Sequence, residues 1–372
     1  MKFPQASTRS PILASVLLAI GATLAAQPTD PVPLVMTMDG RPVSSDQARV
    51  VLLPSTNTRR LAVEFPASMP PSGPAIRTDA EGGTVYEMPL EARVRWSVSS
   101  GTAVPRGMTS IDIVPPDGGR PVTISATVEV DRTDAAGQEL EPWRAQASIR
   151  MLPGMNFDRD GSGVIDDVVV GIYPNEFATD APAIVRRTPD TYRPPRIFYR
   201  LDEVTSSLSL SEHLTMGALC PPVFDSESTT RYVAIDPRLP DFWEALRHQA
   251  ASAGSNPNGL RILRGFVSPN ERQRLERLGV QLASFTRYQY GDAIAVIHDE
   301  NGDFRMDDLD GDGQVTLEDA AVLAGWARAA MTTASVSGGI GLEGSFEGPN
   351  HLGTPYLHVD LRGGGIVEWR TN

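Results

Sequence analysis

Thr286-Arg287-Tyr288-Gln289-Tyr290-Gly291-Asp292-Ala293-Ile294-Ala295-Val296, with the later Tyr356-Leu357-His358-Val359-Asp360-Leu361-Arg362-Gly363 and Val367-Glu368-Trp369, is the part of this chain whose reading decides its C-terminal fold. The apolar runs predict strands at Ala293 to His298, Tyr356 to Leu361 and Gly365 to Trp369. Upstream, Pro240 to Ala251 carries Phe242, Trp243 and Leu246 at helical spacing behind Asp241 as a cap, and Leu260 to Phe266 is a strand candidate. Ser268-Pro269-Asn270-Glu271 places Ser at N-cap, Pro at N1 and Glu at N3, a capping box for a helix that Gly279 can close. Helices interleaved with strands predict an α+β domain over 196–372.

The other half reads differently. Between residues 27 and 152 short alternating runs separated by Pro, Gly and Asp predict strands at Val32 to Met38, Ala48 to Leu53, Arg60 to Phe65, Thr84 to Met88, Arg93 to Ser97, Val122 to Val130 and Ala145 to Met151. Their spacing predicts an antiparallel β-sandwich, immunoglobulin-like in outline. No histidine falls in it and its carboxylates are scattered, so its expected role is spacing or adhesion. A Pro- and Asp-rich junction, 153–195, connects the two.

A chain of 372 residues with 41% hydrophobic content supports more than one core. Lys2 and Arg9, the apolar run Ile12 to Leu24, and Ala25-Ala26 before Gln27 follow the grammar of a signal peptide over 1–26. That run is short for a membrane span, and no other long apolar stretch follows it. The expected location is therefore secreted, periplasmic or cell-envelope. Cys220 is the only cysteine, so no intrachain disulfide forms and a buried apolar role is expected. A net charge of −13 argues against nucleic acid and anionic membrane as partners and favours cations.

The quoted segments resemble the zinc D-alanyl-D-alanine carboxypeptidases, with the related VanX-type dipeptidases and murein endopeptidases, whose first metal word is S-R-H-x-x-G-D-A-x-D. Gly171-Ile172-Tyr173-Pro174, Tyr192-Arg193-Pro194-Pro195, Leu208 to Cys220, Gly338 to Leu342 and Arg264-Gly265-Phe266-Val267-Ser268-Pro269 are similar, in the same order, to the framework of secreted members. The resemblance covers roughly residues 170 to 370 and implies the family's fold and peptidoglycan peptides as ligands. It also exposes a defect. Tyr288 stands at the first His ligand, Ala295 at the Asp ligand and Val267 at the arginine that stabilises the oxyanion, leaving only His358 of the three zinc ligands. A catalytic zinc needs three protein ligands and an open position; alanine has no donor atom, and a phenol of pKa about 10 replaces imidazole poorly. His358 is then either a hydrogen-bonded relic or a zinc contact, with Asp360 holding or orienting it. His298 would project from the opposite face to Ala295, His351 lies off the family spacing, and His213 and His248 read as structural or solvated.

Asp308-Leu309-Asp310-Gly311-Asp312-Gly313-Gln314-Val315-Thr316-Leu317-Glu318-Asp319 has the spacing of a calcium loop. Asp308, Asp310, Asp312, the Gln314 carbonyl, Thr316 and Asp319 supply oxygens at positions 1, 3, 5, 7, 9 and 12, and Gly313 turns the chain at position 6. Aspartate at position 12 makes the loop resemble dockerins more than sensor EF-hands. Ala320 to Met331 is the expected exit helix. Asp299, Asn301, Asp303 and Asp310 offer a weaker overlapping frame. In the junction, Asp158, Asp160, Ser162, Val164 and Asp166 form a third candidate, but Val169 sits where an acid should close it.

These readings predict a secreted, calcium-binding protein whose peptidase-like domain has lost its chemistry and retains a peptide-binding role. Two alternatives stay open: an active zinc metallopeptidase of peptidoglycan using displaced ligands, and a calcium-stabilised extracellular structural or adhesion module.

Overall fold

The computed structural model describes residues 34–43, 49–53, 58–64, 76–78, 84–86, 93–107, 109–116, 118–133, 138–157, 161–222, 230–280, 282–344 and 353–371. The expected signal segment 1–26, Asp158, Asp160 and His351 lie outside these. No helix among the described residues is long and apolar enough to cross a membrane.

The first part is made of strands: β1 (Val35–Met38), β2 (Arg41–Val43), β3 (Val50–Leu53), β4 (Arg59–Glu64), β5 (Ile76–Thr78), β6 (Thr84–Tyr86), β7 (Arg93–Val98), β8 (Thr102–Pro105), β9 (Ser110–Val114), β10 (Val122–Thr133) and β11 (Glu139–Pro153). Period-two alternation drives their burial. Val122, Ile124, Ala126, Val128 and Val130 of β10 are buried, as are Ala145, Ala147, Ile149 and Met151 of β11. Two sheets, ordered β2-β1-β4-β9-β8 and β3-β11-β10-β7, contribute to a single core containing Met36, Leu61, Ile111, Ile124 and Ile149.

Three differences from the sequence reading have local causes. All four residues of β8 are exposed, so no apolar alternation announces it. In β9, Asp112 is buried between Ile111 and Ile113 because Arg60 and Arg106 pair with it at 3.0 and 2.6 Å. β3 pairs with β11 in parallel, so the expected wholly antiparallel arrangement does not hold. These two strands are far apart in the chain, and no hairpin dictates their direction.

The second part continues with β12 (Met155–Asn156), β13 (Val164–Ile165), β14 (Val168–Val169), α1 (Ala183–Arg187), β15 (Ile197–Leu201), α2 (Glu203–Ser206), α3 (Met216–Leu219), β16 (Arg231–Val233) and α4 (Leu239–Ser252). Then follow β17 (Leu260–Arg264), α5 (Pro269–Arg277), β18 (Ala293–His298), α6 (Leu317–Thr333), β19 (Gly339–Glu343), β20 (Tyr356–Asp360) and β21 (Val367–Thr371). The parts are joined closely: Val50 N donates to Ser209 O at 2.7 Å, and Val50 and Leu152 belong to the C-terminal core. A Cβ on Gly154 would lie 2.2 Å from Ile197 Cγ2, so glycine is required where the chain crosses.

The capping box of α5 forms as the sequence predicts, with Ser268 Oγ accepting from Glu271 N at 3.1 Å and Glu271 Oε2 from Ser268 N at 2.7 Å. In α4 Asp241 falls inside the first turn and Arg238 is the N-cap residue, because Leu239-Pro240 already occupies the first helical positions.

The C-terminal sheet runs β17-β18-β20-β19-β21, antiparallel except for β19 with β21. Ile294, Val296, Ile340, Leu357 and Val359 share a core with Phe242 and Leu246 of α4 and Leu323 and Ala327 of α6. With a side-chain period of two, Ala293, Ala295, Gly339, Gly341, His358 and Asp360 occupy the other face. The chain is thus a mixed α/β protein, mostly strands in several antiparallel sheets with a few helices.

Candidate functional site

One row of residues crosses this second face, which is also buried. Arg264 lies opposite Ala295, Ala295 opposite His358, His358 opposite Gly341, and Gly341 opposite Trp369, so five strands each supply one member. Tyr288 is delivered by the turn Arg287–Tyr290, which ends at Gly291 with φ +75°. A Cβ at Gly291 would meet Ala234 O at 2.4 Å, so only glycine can make this turn. Val267, just after β17, donates its N–H to Tyr288 O at 3.1 Å. All four positions singled out by the resemblance therefore converge. What they form is an apolar plug: Val267, Leu275, Tyr288, Ala293 and Ala295 make a buried cluster.

His358 is held from both sides. Its Nδ1 lies 3.0 Å from Tyr288 Oη and its Nε2 3.3 Å from Asp360 Oδ2. Arg362 Nε donates to Asp360 Oδ1 at 2.6 Å, and Nη2 also bonds Oδ2. Burial alone would raise the Asp360 carboxyl, but the hydrogen bonds and charges of Arg362 and His358 overcome it and hold the group well below the usual carboxylate range. Burial pushes the Tyr288 hydroxyl far upward, keeping its proton in place. An ionised Asp360 only accepts, which assigns the imidazole proton to Nε2 and makes Nδ1 the acceptor of the Tyr288 O–H. Every polar atom of this chain of contacts is then matched.

Trp369 completes the enclosure, with its ring centroid 5.2 Å from that of His358 and its Nε1 donating to Glu343 at 3.0 Å. Gly341 and Gly339 make room for the indole: their Cβ atoms would lie 2.4 and 2.7 Å from its ring atoms. Sequence reasoning assigned no role to Arg264, Arg362 or Trp369. The alternating glycines of β19, one period apart like the ring they accommodate, were the available signal.

The residues present do not fit a catalytic zinc. Ala295 offers a methyl group, Tyr288 a phenol committed to His358, and both imidazole nitrogens are engaged. Two other histidines among the described residues are committed elsewhere. His298 is fixed by Asp307 at 3.0 Å and the Asn256 carbonyl at 2.9 Å, and His213 by Glu244 at 2.9 Å.

A second feature lies in the turn between β18 and α6. Among the described residues, Asp308, Asp310 and Asp312 are the group of three acidic, His or Cys side chains whose ligand atoms come within 4.8 Å of one another. Asp308 accepts from the N–H groups of Gly311, Asp312 and Gly313, and Asp312 Oδ1 from Gln314 N at 2.7 Å. The Asp312 N–H favours an ionised Asp310, yet desolvation and the charges of Asp312, Asp319 and Asp308 raise its proton affinity above the ordinary value. This donor set suits calcium, a hard cation that takes carboxylate and carbonyl oxygens. Asp319 is fully buried and accepts from Leu309, Asp310 and Thr316 N–H groups, while Thr316 caps α6. Asp319 thus ties the loop to the helix.

The other two acidic frames differ. Asp299 accepts from Gly302, Asp303 and Phe304 in the same pattern, but Arg261 pairs with it at 2.8 Å and supplies the positive charge. In the junction, Val164 pairs with Val169 in the β13–β14 hairpin, and Asp166 accepts from Tyr232 Oη at 2.7 Å. The position that should close a cage is used for strand pairing, with Ser162 beside it in the turn.

Comparison with protein-family models, curated proteins and solved structures gave no match.

Proposed function

We propose that this is an exported cell-envelope protein in which an immunoglobulin-like β-sandwich carries a D-Ala-D-Ala-peptidase-like domain that holds peptide without cleaving it. The observation that carries this reading is the Tyr288–His358–Asp360 contact chain, which engages two of the ligand positions implied by the resemblance, Tyr288 and His358, in a closed hydrogen-bonded set while the third, Ala295, offers no donor. With no third ligand and no open metal position, water has no activating group at this place. Recognition of a peptide is separable from its hydrolysis, so loss of hydrolysis need not entail loss of recognition. Calcium at Asp308, Asp310 and Asp312 would act on stability, since the loop leads directly into α6 and that helix packs beneath the sheet.

Incubating the full chain with a D-Ala-D-Ala-terminated muropeptide tests the proposal. Saturable binding with intact peptide recovered supports it. Turnover abolished by a chelator would favour the active metallopeptidase, and absence of binding would leave a calcium-stabilised structural module.

A further inference from the structure

A surface cavity of about 410 Å³ is walled by both α4 and β17, the outer strand of the C-terminal sheet. Trp243 of α4 with Leu260 and Ile262 of β17 supplies apolar surface, and Arg247 and Arg261 stand among the lining residues. The chain has 46 acidic residues against 33 basic ones, yet no aspartate or glutamate is among the described residues that line this cavity. Its two guanidiniums differ in how they are held. Arg261 gives Nε to the buried Asp299 at 2.8 Å, while its terminal nitrogens make no hydrogen bond among the described residues. Arg247 has no carboxylate partner among the described residues: Nη1 donates to Pro257 O at 2.6 Å and Nη2 to Asn258 Oδ1 at 2.9 Å, both neutral acceptors. These bonds fix the Arg247 guanidinium without neutralising it.

Phe304 adds a ring to the same cavity. It is 61% exposed and holds φ +62°, a left-handed conformation that costs a phenylalanine energy, with Asp299 Oδ2 accepting from its N–H at 3.0 Å. The ring carries the Arg261 guanidinium, whose Cζ lies 5.2 Å from its centroid. A strained backbone that keeps a large apolar ring in water points to a use for that ring outside the fold. Apolar and aromatic surface takes a flat apolar body, and charge-assisted N–H···O bonds take a negative group attached to it. Small-molecule sites run from about 300 to 1,000 Å³, and a cavity near the lower end suits one or two rings. We propose that this cavity binds a small aromatic anion, its rings against Trp243 and Phe304 and its negative group on Arg247 and Arg261. The site shares no residue with the row that contains His358 and is independent of the peptide-binding reading.

Calorimetric titration of the full chain with naphthalene-2-sulfonate, and with the neutral naphthalene-2-sulfonamide, tests this directly. The sulfonate should bind one-to-one and about tenfold more tightly than the sulfonamide, the difference expected of a charge-assisted contact. Arg247→Gln should bring the sulfonate down to the level of the sulfonamide. Phe304→Gly removes an exposed ring and leaves a residue suited to the left-handed backbone, so this variant keeps the fold and should weaken both probes alike. Equal affinity of the parent for the two probes would overturn the proposal by removing its charged contact. Sulfonate binding untouched by either substitution would place the ligand elsewhere and overturn the site, and no sulfonate binding at millimolar concentration would overturn it outright.

Discussion

The Tyr288 hydroxyl lies 3.0 Å from His358 Nδ1, and Ala295 faces His358 across the β18–β20 pairing. Positions that a resemblance to zinc peptidases would make ligands are in contact, but as a hydrogen bond and a packed methyl group. The strand register brings these positions together, and their side chains meet as a donor, an acceptor and a methyl group.

Tyr288→Phe keeps the ring and deletes the donor, leaving Nδ1 of a buried imidazole unmatched. A loss of about 1–3 kcal/mol in unfolding free energy is expected. Urea denaturation of parent and variant measures it, and superimposable curves would remove the contact from the account.

Asp360 gives a pH signature. Because Arg362 and His358 hold its folded-state carboxyl below the ordinary value despite burial, its stabilisation is complete above that value, about 4, and is lost as pH falls toward the depressed one. Asp360→Asn removes the titration, so the stability gap between parent and variant should narrow as pH falls from about 5 to 3. Asp292, raised chiefly by burial and also by the Asp360 charge, acts in the opposite sense in the parent. A gap independent of pH would contradict the assignment.

How much of this was legible follows the range of the interactions. The strand Ala293–His298 and the Ser268–Glu271 box are local patterns, and both appear where their residues predict them. The convergence of Tyr288 and Val267 on His358 was expected only through resemblance, since no local pattern joins residues so distant in sequence. The Trp369 enclosure and the place of Arg264 in the row depend on pairing β19 with β21 and β17 with β18, which no single segment reveals. Asp319, at the closing position of the calcium spacing, also accepts from three backbone N–H groups, which the spacing rule does not announce.

Gly341→Ala should force Trp369 from its place, because the new Cβ would lie 2.4 Å from Cε2 of the indole. A destabilisation of about 1–3 kcal/mol is expected for such overpacking, with a shifted tryptophan emission. An unchanged spectrum and midpoint would mean that the ring does not need the glycine.

Calcium should raise the melting temperature. An ion that binds only the folded loop adds about 2.7 kcal/mol at a hundredfold excess over Kd. Scanning calorimetry in chelator and in millimolar calcium should separate the two midpoints, and Asp308→Ala with Asp312→Ala should abolish the separation. A persistent shift in that variant would place the ion elsewhere.

The central proposal, that a closed set of side chains stands where the resemblance implies a metal site, is tested most directly by titrating the metal-free protein with zinc in a calorimeter. The parent should bind no stoichiometric zinc at the site, because one fully engaged imidazole cannot hold a catalytic ion against water. The variant Tyr288→His with Ala295→Asp and Val267→Arg, which restores the ligand and arginine positions, should gain a one-to-one isotherm. Tight stoichiometric zinc in the parent, lost in His358→Ala, would contradict the account.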